Sequence, residues 1–253
     1  MKSLLFVVTH KQNFSIPKEN IYKSIAVGKN SSEINADYMD CYGDNISSKN
    51  PNYCELTAHY WIWKNMLNEY DVFGLCHYRR YFANSYFERF KILENKTIDK
   101  LLEKYDVILP ASWAWKNNVK IIYKNGDGKE KDLETVRKVI LEEYPEYVKD
   151  YDSVLNRRYS SYCNMFIMKR NDFDCYSSWL FSILSKVEEV TDLSDYTVAE
   201  ARIYGYLSEI LLNVWVMHNK LNIKYLPMIE IEKSKKSQIK YDFVYALRKQ
   251  LKV

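Results

Sequence analysis

NYCELTAHYWIWKNMLNEYDVFGLCHYRRYF, residues 52–82, decides the fold. Within residues 53–67, Leu56, Tyr60, Trp63 and Leu67 recur at helical spacing, so the segment reads as a helix with one apolar face. Val72, Phe73, Gly74, Leu75 and Cys76 then form a short, mostly apolar run bounded by charge, the pattern of a strand covered on both faces. In open α/β sheets ligands bind just beyond the carboxyl ends of such strands. Here that end carries His77, Tyr78, Arg79, Arg80, Tyr81 and Phe82. Adjacent arginines beside a histidine and tyrosines combine fixed positive charge, planar donors and stacking surfaces, so an anionic ligand is expected. The competing reading makes Arg79 and Arg80 solvated charges and His77 a packing residue.

Outward from this unit, residues 4–8 read as a buried first strand ending at Thr9, His10 and Lys11, and residues 25–27 as a second. Helices are expected over 97–104, 133–144, 173–190 and 198–217, and strands over 105–109, 162–168 and 223–226. The polar stretch 116–131, with Asn125, Gly126, Asp127 and Gly128, predicts a mobile loop. Strands alternating with helices imply an α/β fold with a mostly parallel sheet flanked by helices.

The 253 residues contain only six Gly and five Pro, and no linker composition divides them, so one compact domain over 1–232 is expected, followed by a basic segment over 233–253. A net charge of +4, dispersed along the chain, does not argue for nucleic acid. The five cysteines have no CxxC pair and are odd in number, which fits a reducing, cytoplasmic location without a disulfide framework. The start, MKSLLFVVTHK, is interrupted by His10 and Lys11 before it reaches signal-peptide length, and no apolar run approaches the ~20 residues of a membrane span. No P-loop, GxGxxG, GxSxG or zinc spacing occurs.

The segments DNISSKNPNYCELTAHYWIWKN (44–65), GLCHYRRYF (74–82), YCNMFIMKR (162–170) and RIYGYLSEILLNVW (202–215) resemble those of a bacterial family, DUF4422. That family occurs in capsule and surface-polysaccharide gene clusters, and some members are galactofuranosyltransferases or resemble them. The resemblance implies a single-domain, Rossmann-like GT-A fold, and an enzyme moving a sugar from a UDP-sugar donor to a glycan or lipid-linked acceptor, with inversion. A divalent metal, Mn or Mg, serves many such enzymes through a strand-end Asp-x-Asp, whereas this strand ends in His77-Tyr78-Arg79. Arg79 and Arg80 would then replace the metal's charge, with His77 donating a hydrogen bond. The strings Asp150-Tyr-Asp152 and Asp172-Phe-Asp174 fit structural roles better, Asp172 as a helix cap.

The resemblance also puts a nucleotide site at Thr9, His10 and Lys11, with Lys11 on phosphate and Thr9 on uracil or ribose. Asp44 and Asn45 would bind ribose or cap a turn. Glu55 falls on a first helical turn, where the helix dipole alone favours a carboxylate. Asn164 interrupts an apolar strand, which suggests an amide facing the acceptor. Arg202, Gly205 and Glu209 share a helix face at i, i+3 and i+7. Glu209 is the candidate general base, or else the partner of Arg79, Arg80 or Arg202 in a buried ion pair. A non-catalytic nucleotide or single-stranded nucleic-acid binding module is the alternative function. In the basic segment, Phe243, Leu247 and Leu251 recur every four residues among lysines, a stripe suited to an anionic membrane surface.

Overall fold

The computed structural model describes residues 1–114 and 116–240. In chain order it contains β1 (Ser3–Thr9), β2 (Tyr22–Ala26), β3 (Tyr38–Met39), α1 (Asn50–Tyr53), α2 (Leu56–Met66), β4 (Val72–His77), β5 (Arg80–Phe82), α3 (Asn95–Leu102), β6 (Val107–Pro110), β7 (Trp113–Ala114), α4 (Val119–Asn125), α5 (Glu130–Glu143), α6 (Val148–Asn156), β8 (Tyr159–Ser160), β9 (Phe166–Lys169), α7 (Arg170–Val190), α8 (Ile203–His218), β10 (Ile223–Leu226) and β11 (Met228–Glu230). The main sheet runs β10-β6-β9-β4-β1-β2-β3. Its pairings are parallel except at β9, which lies antiparallel between β4 and β6. A hairpin carries β4 into β5, and β11 adds to β5.

Every residue of β1 is buried, because the strand's two-residue period feeds two cores. Leu4, Phe6 and Val8 pack with residues of α2, α7 and α8, while Leu5 and Val7 pack with Ile98 and Leu102 of α3. Each such side chain contributes roughly 1.5–3 kcal/mol by leaving water. Gly74 of β4 sits directly between Leu5 and Ile167 in register. A Cβ there would stand 2.6 Å from Leu5 Cγ and 3.1 Å from Ile167 Cγ1. Both neighbours are fully buried, so neither can retreat. Gly74→Ala is therefore expected to cost about 1–3 kcal/mol through overpacking, measured as a lowered thermal midpoint; an unchanged midpoint would show that these strands can part at little cost.

Several elements differ from the sequence expectation. The helix expected over 53–67 is broken: α1 ends at Tyr53, Cys54 takes a positive φ of 52°, and α2 starts after Glu55. The break exists because α8 crosses closely at Gly205, where a Cβ would lie 3.2 Å from Cys54 Cβ and Sγ. Residues 116–131 are not one loop but contain α4 and the first residues of α5, and the turn between is closed by Gly126 N–H donating to Ile122 O and Gly128 N–H to Tyr123 O, each at 3.2 Å. The strand over 162–168 begins only at Phe166, because Cys163 and Asn164 have positive φ of 75° and 48°.

Asp150 and Asp152 lie in α6, not in a connection. Asp150 accepts from His218 Nδ1 at 2.8 Å, and Asp152 receives both Arg137 Nε and an Arg137 terminal nitrogen at 2.8 Å. Asp172 is in the first turn of α7 rather than at its cap, and Asp174 accepts from Trp63 Nε1 at 2.7 Å. Beyond β11, Gln238 is buried and bridges Glu230 and Lys233, donating to their carbonyls at 3.0 and 2.9 Å. The start of the basic segment is thus pinned to the sheet. The stripe Phe243, Leu247 and Leu251 lies outside the described residues. No helix among the described residues is long and apolar enough to cross a membrane.

Candidate active site

Because β1, β2 and β4 are mutually parallel, their carboxyl ends open on the same side of the sheet. A cavity of about 860 Å³ lies there, within the roughly 300–1,000 Å³ range of small-molecule sites. His10 and Lys11 follow β1, while His77, Tyr78, Arg79 and Arg80 come from the β4–β5 hairpin. Glu55 enters from the α1–α2 break, and Arg202 and Glu209 from the start of α8. Nine of the expected site residues thus line one cavity.

The cavity is electropositive. Burial and then the charges of Lys11, Arg79 and Arg202 hold the His10 imidazole below its ordinary range. The four cations, Lys11, Arg79, Arg80 and Arg202, are not equally free. Arg79 meets Glu232 at 3.4 Å and Arg80 meets Glu230 at 3.7 Å, both acids lying at or just beyond β11. Among the described residues Arg202 and Lys11 have no ion-pair partner; Arg202 Nε donates to Cys54 Sγ at 3.2 Å. Tyr78 stands edge-on to His10 with ring centres 5.5 Å apart, and Arg79 lies 5.8 Å from the Tyr78 ring.

Two carboxylates face these cations. Cys163 N–H donates to Glu209 Oε1 at 2.8 Å, and Asn164 Nδ2 donates to Glu55 Oε1 at 2.8 Å. Enclosure by protein, then the neighbouring Glu55 charge, pushes the Glu209 carboxyl up to about 8, against the opposing pull of Arg80 and Arg202. The left-handed pair Cys163–Asn164 organises both acids. Its strained backbone aims one N–H at Glu209 and one carbonyl at His77, whose Nε2 donates to Cys163 O at 2.5 Å. Burial also lowers the His77 pKa.

This geometry corrects four sequence assignments. His77 spends its Nε2 proton on a backbone carbonyl, so it orients the Cys163 turn instead of donating that proton to a ligand. Asn164 is buried and does not line the cavity: it donates also to Gly205 O at 3.0 Å and accepts from Ser208 Oγ at 2.9 Å, so it positions Glu55 rather than facing an acceptor. Thr9 is buried and not in the cavity wall; its Oγ1 accepts from Lys11 N–H at 3.0 Å and shapes the turn presenting Lys11. Asp44 and Asn45 also lie outside that wall, Asp44 accepting from Tyr60 Oη at 3.2 Å and Asn45 bonding the carbonyl of Gly43 at 2.8 Å.

Residues the sequence reading passed over include Asn50, Cys54, Tyr162 and Tyr206. Tyr206 had a signal: it lies four residues after Arg202 and three before Glu209, on the same helix face. Cys54 had none, because its position depends on the contact with Gly205. Among the described residues no group of three or more His, Cys, Asp or Glu side chains is placed to hold a metal ion. All five cysteines are free.

Residues 4–220 match the family described as a domain of unknown function, DUF4422, and the chain belongs to that family. A solved structure, the WbbM bifunctional glycosyltransferase in its apo state, is similar at 31% identity with a TM-score of 0.85. The match covers 92% of this chain but 46% of that one, so the chain spans less than half the length of the solved protein. The mixed α/β, GT-A-like architecture is therefore shared with part of a glycosyltransferase. A search of curated proteins gives no match.

Proposed function

We propose that this chain is an inverting glycosyltransferase that moves a sugar from a UDP-sugar to a glycan acceptor in surface-polysaccharide synthesis, with galactofuranose the sugar to test first. The carrying observation is the cavity at the ends of β1, β2 and β4, where cations surround a space that Glu209 also lines. The family, and the fold shared with part of a glycosyltransferase, support the same reading.

In this reaction the acceptor hydroxyl oxygen bonds to the anomeric carbon on the face opposite the diphosphate. The bond from that carbon to the phosphate oxygen breaks, its electron pair leaving with UDP, and the hydroxyl proton passes to the Glu209 carboxylate. Arg202, Lys11, Arg80 and Arg79 meet the charge that develops on the departing diphosphate. Glu55 helps keep the Glu209 carboxyl basic. A module that only held nucleic acid phosphates would gain nothing from two carboxylates in its groove.

Calorimetry tests the reading: UDP is expected to bind, and single-stranded oligonucleotides are not. UDP release from UDP-galactofuranose with a glycan acceptor should persist in EDTA. Salt-sensitive oligonucleotide binding without UDP affinity would overturn the proposal in favour of a nucleic-acid module.

A further inference from the structure

A second, smaller cavity of about 190 Å³ opens beside the first and shares Ile122, Tyr162, Tyr206 and Glu209 with it. Its remaining wall is the turn after α4, including Asp127, together with Tyr123 and Ile210. Glu209 therefore stands at the junction, touching both spaces. The smaller space holds the equivalent of about six waters, far too little for a nucleotide sugar but enough for one sugar ring.

The wall is built and held in place. Tyr206 Oη donates to Asp127 Oδ2 at 3.3 Å, fastening the turn to α8. Gly128 lies flat on Tyr123, where a Cβ would meet the ring at 2.1 Å, so the chain passes close enough to close the cavity floor. Tyr123 Oη in turn donates to Asp132 at 3.0 Å. On the other side of Tyr206 stands Arg202, 5.4 Å from its ring. Tyr206 thus separates the cationic space from one whose described wall carries three tyrosines, Asp127 and Glu209, and no lysine or arginine. Tyrosine rings offer apolar faces for the C–H face of a pyranose, and a carboxylate accepts from adjacent hydroxyls.

We infer that this side cavity is the acceptor subsite, taking the terminal sugar ring of an uncharged glycan between Tyr162 and Tyr206, with Asp127 on its hydroxyls and the attacking hydroxyl turned toward Glu209. The inference rests on the transferase reading for the identity of the occupant, and the arrangement divides labour: cations on the donor side, rings and Asp127 on the acceptor side, with Glu209 between.

Saturation-transfer NMR with methyl glycosides of galactose, glucose and mannose as probes, with and without UDP, provides the test, alongside calorimetry of UDP. At least one glycoside is expected to bind together with UDP, and Asp127→Ala and Tyr206→Phe should each weaken it by about tenfold or more, with UDP affinity unchanged in Asp127→Ala, whose side chain lies outside the larger cavity. Asp127 is exposed and Tyr206→Phe removes a single hydroxyl, so both variants should fold, as a thermal melt would verify. Displacement of the glycoside by UDP, equal binding to both variants, or binding of none of the three glycosides would overturn the subsite. Glycoside binding that responds to both substitutions in a protein without UDP affinity would uphold a sugar subsite and overturn the transferase reading instead.

Discussion

Glu209→Gln is expected to lower kcat by about a hundred- to ten-thousandfold while leaving UDP affinity intact, because the substitution keeps the side chain's shape but removes its capacity to take a proton. Gln can still accept from Cys163 N–H through its amide oxygen, so the local fold should survive. The pH profile provides an independent check. Burial and the Glu55 charge keep the Glu209 carboxyl protonated below about 8, and only the carboxylate can act as base. The rate should therefore rise with pH and level off above about 8. Stability should move the other way. A carboxyl whose folded pKa is raised from 4.5 to about 8 binds more protons folded than unfolded between those values, so its contribution falls as pH rises through that window. Glu209→Gln should flatten that part of the curve of melting temperature against pH. Full kcat in the variant, or an unchanged acid limb in wild type and variant alike, would remove Glu209 from the base role.

Arg202→Ala and Arg80→Ala should each reduce kcat/KM about ten- to hundredfold, the equivalent of a lost charge-assisted hydrogen bond of roughly 1.5–3 kcal/mol. Arg202 should be the more damaging, since its guanidinium has no carboxylate partner among the described residues and its charge is fully available to a diphosphate. Arg80 is shared with Glu230, and removing it leaves that acid paired with Lys233 at 2.7 Å, so the loss reads on ligand binding and not on an orphaned carboxylate. Arg79→Ala should be milder than Arg80→Ala, because the Arg79 side chain is the more exposed of the two and solvent screens its charge. Steady-state kinetics with the donor varied measures all three. If Arg202→Ala retains full kcat/KM, the diphosphate does not sit against α8.

The sequence by itself determined what depends on near neighbours. The apolar runs of β1 and β4 required burial on both faces, and their polar ends then had to emerge together at one edge of the sheet, which located His10, Lys11, His77, Tyr78, Arg79 and Arg80 before any contact was known. The spacing of Arg202 and Glu209 along α8 was equally legible, because helical period is a property of the segment itself. Only the tertiary structure decided which of these groups are free to act. The close crossing at Gly205 breaks the long helix at Cys54 and swings Glu55 into the cavity, a consequence of two segments about 150 residues apart meeting. Antiparallel insertion of β9 after the left-handed pair Cys163–Asn164 turns one N–H to Glu209 and one carbonyl to His77. The pairing of Arg79 and Arg80 with acids at β11, and the freedom of Arg202, follow from which strands become neighbours. Periodicity and composition are local quantities, whereas charge pairing and backbone strain depend on atoms that folding brings together from distant parts of the chain.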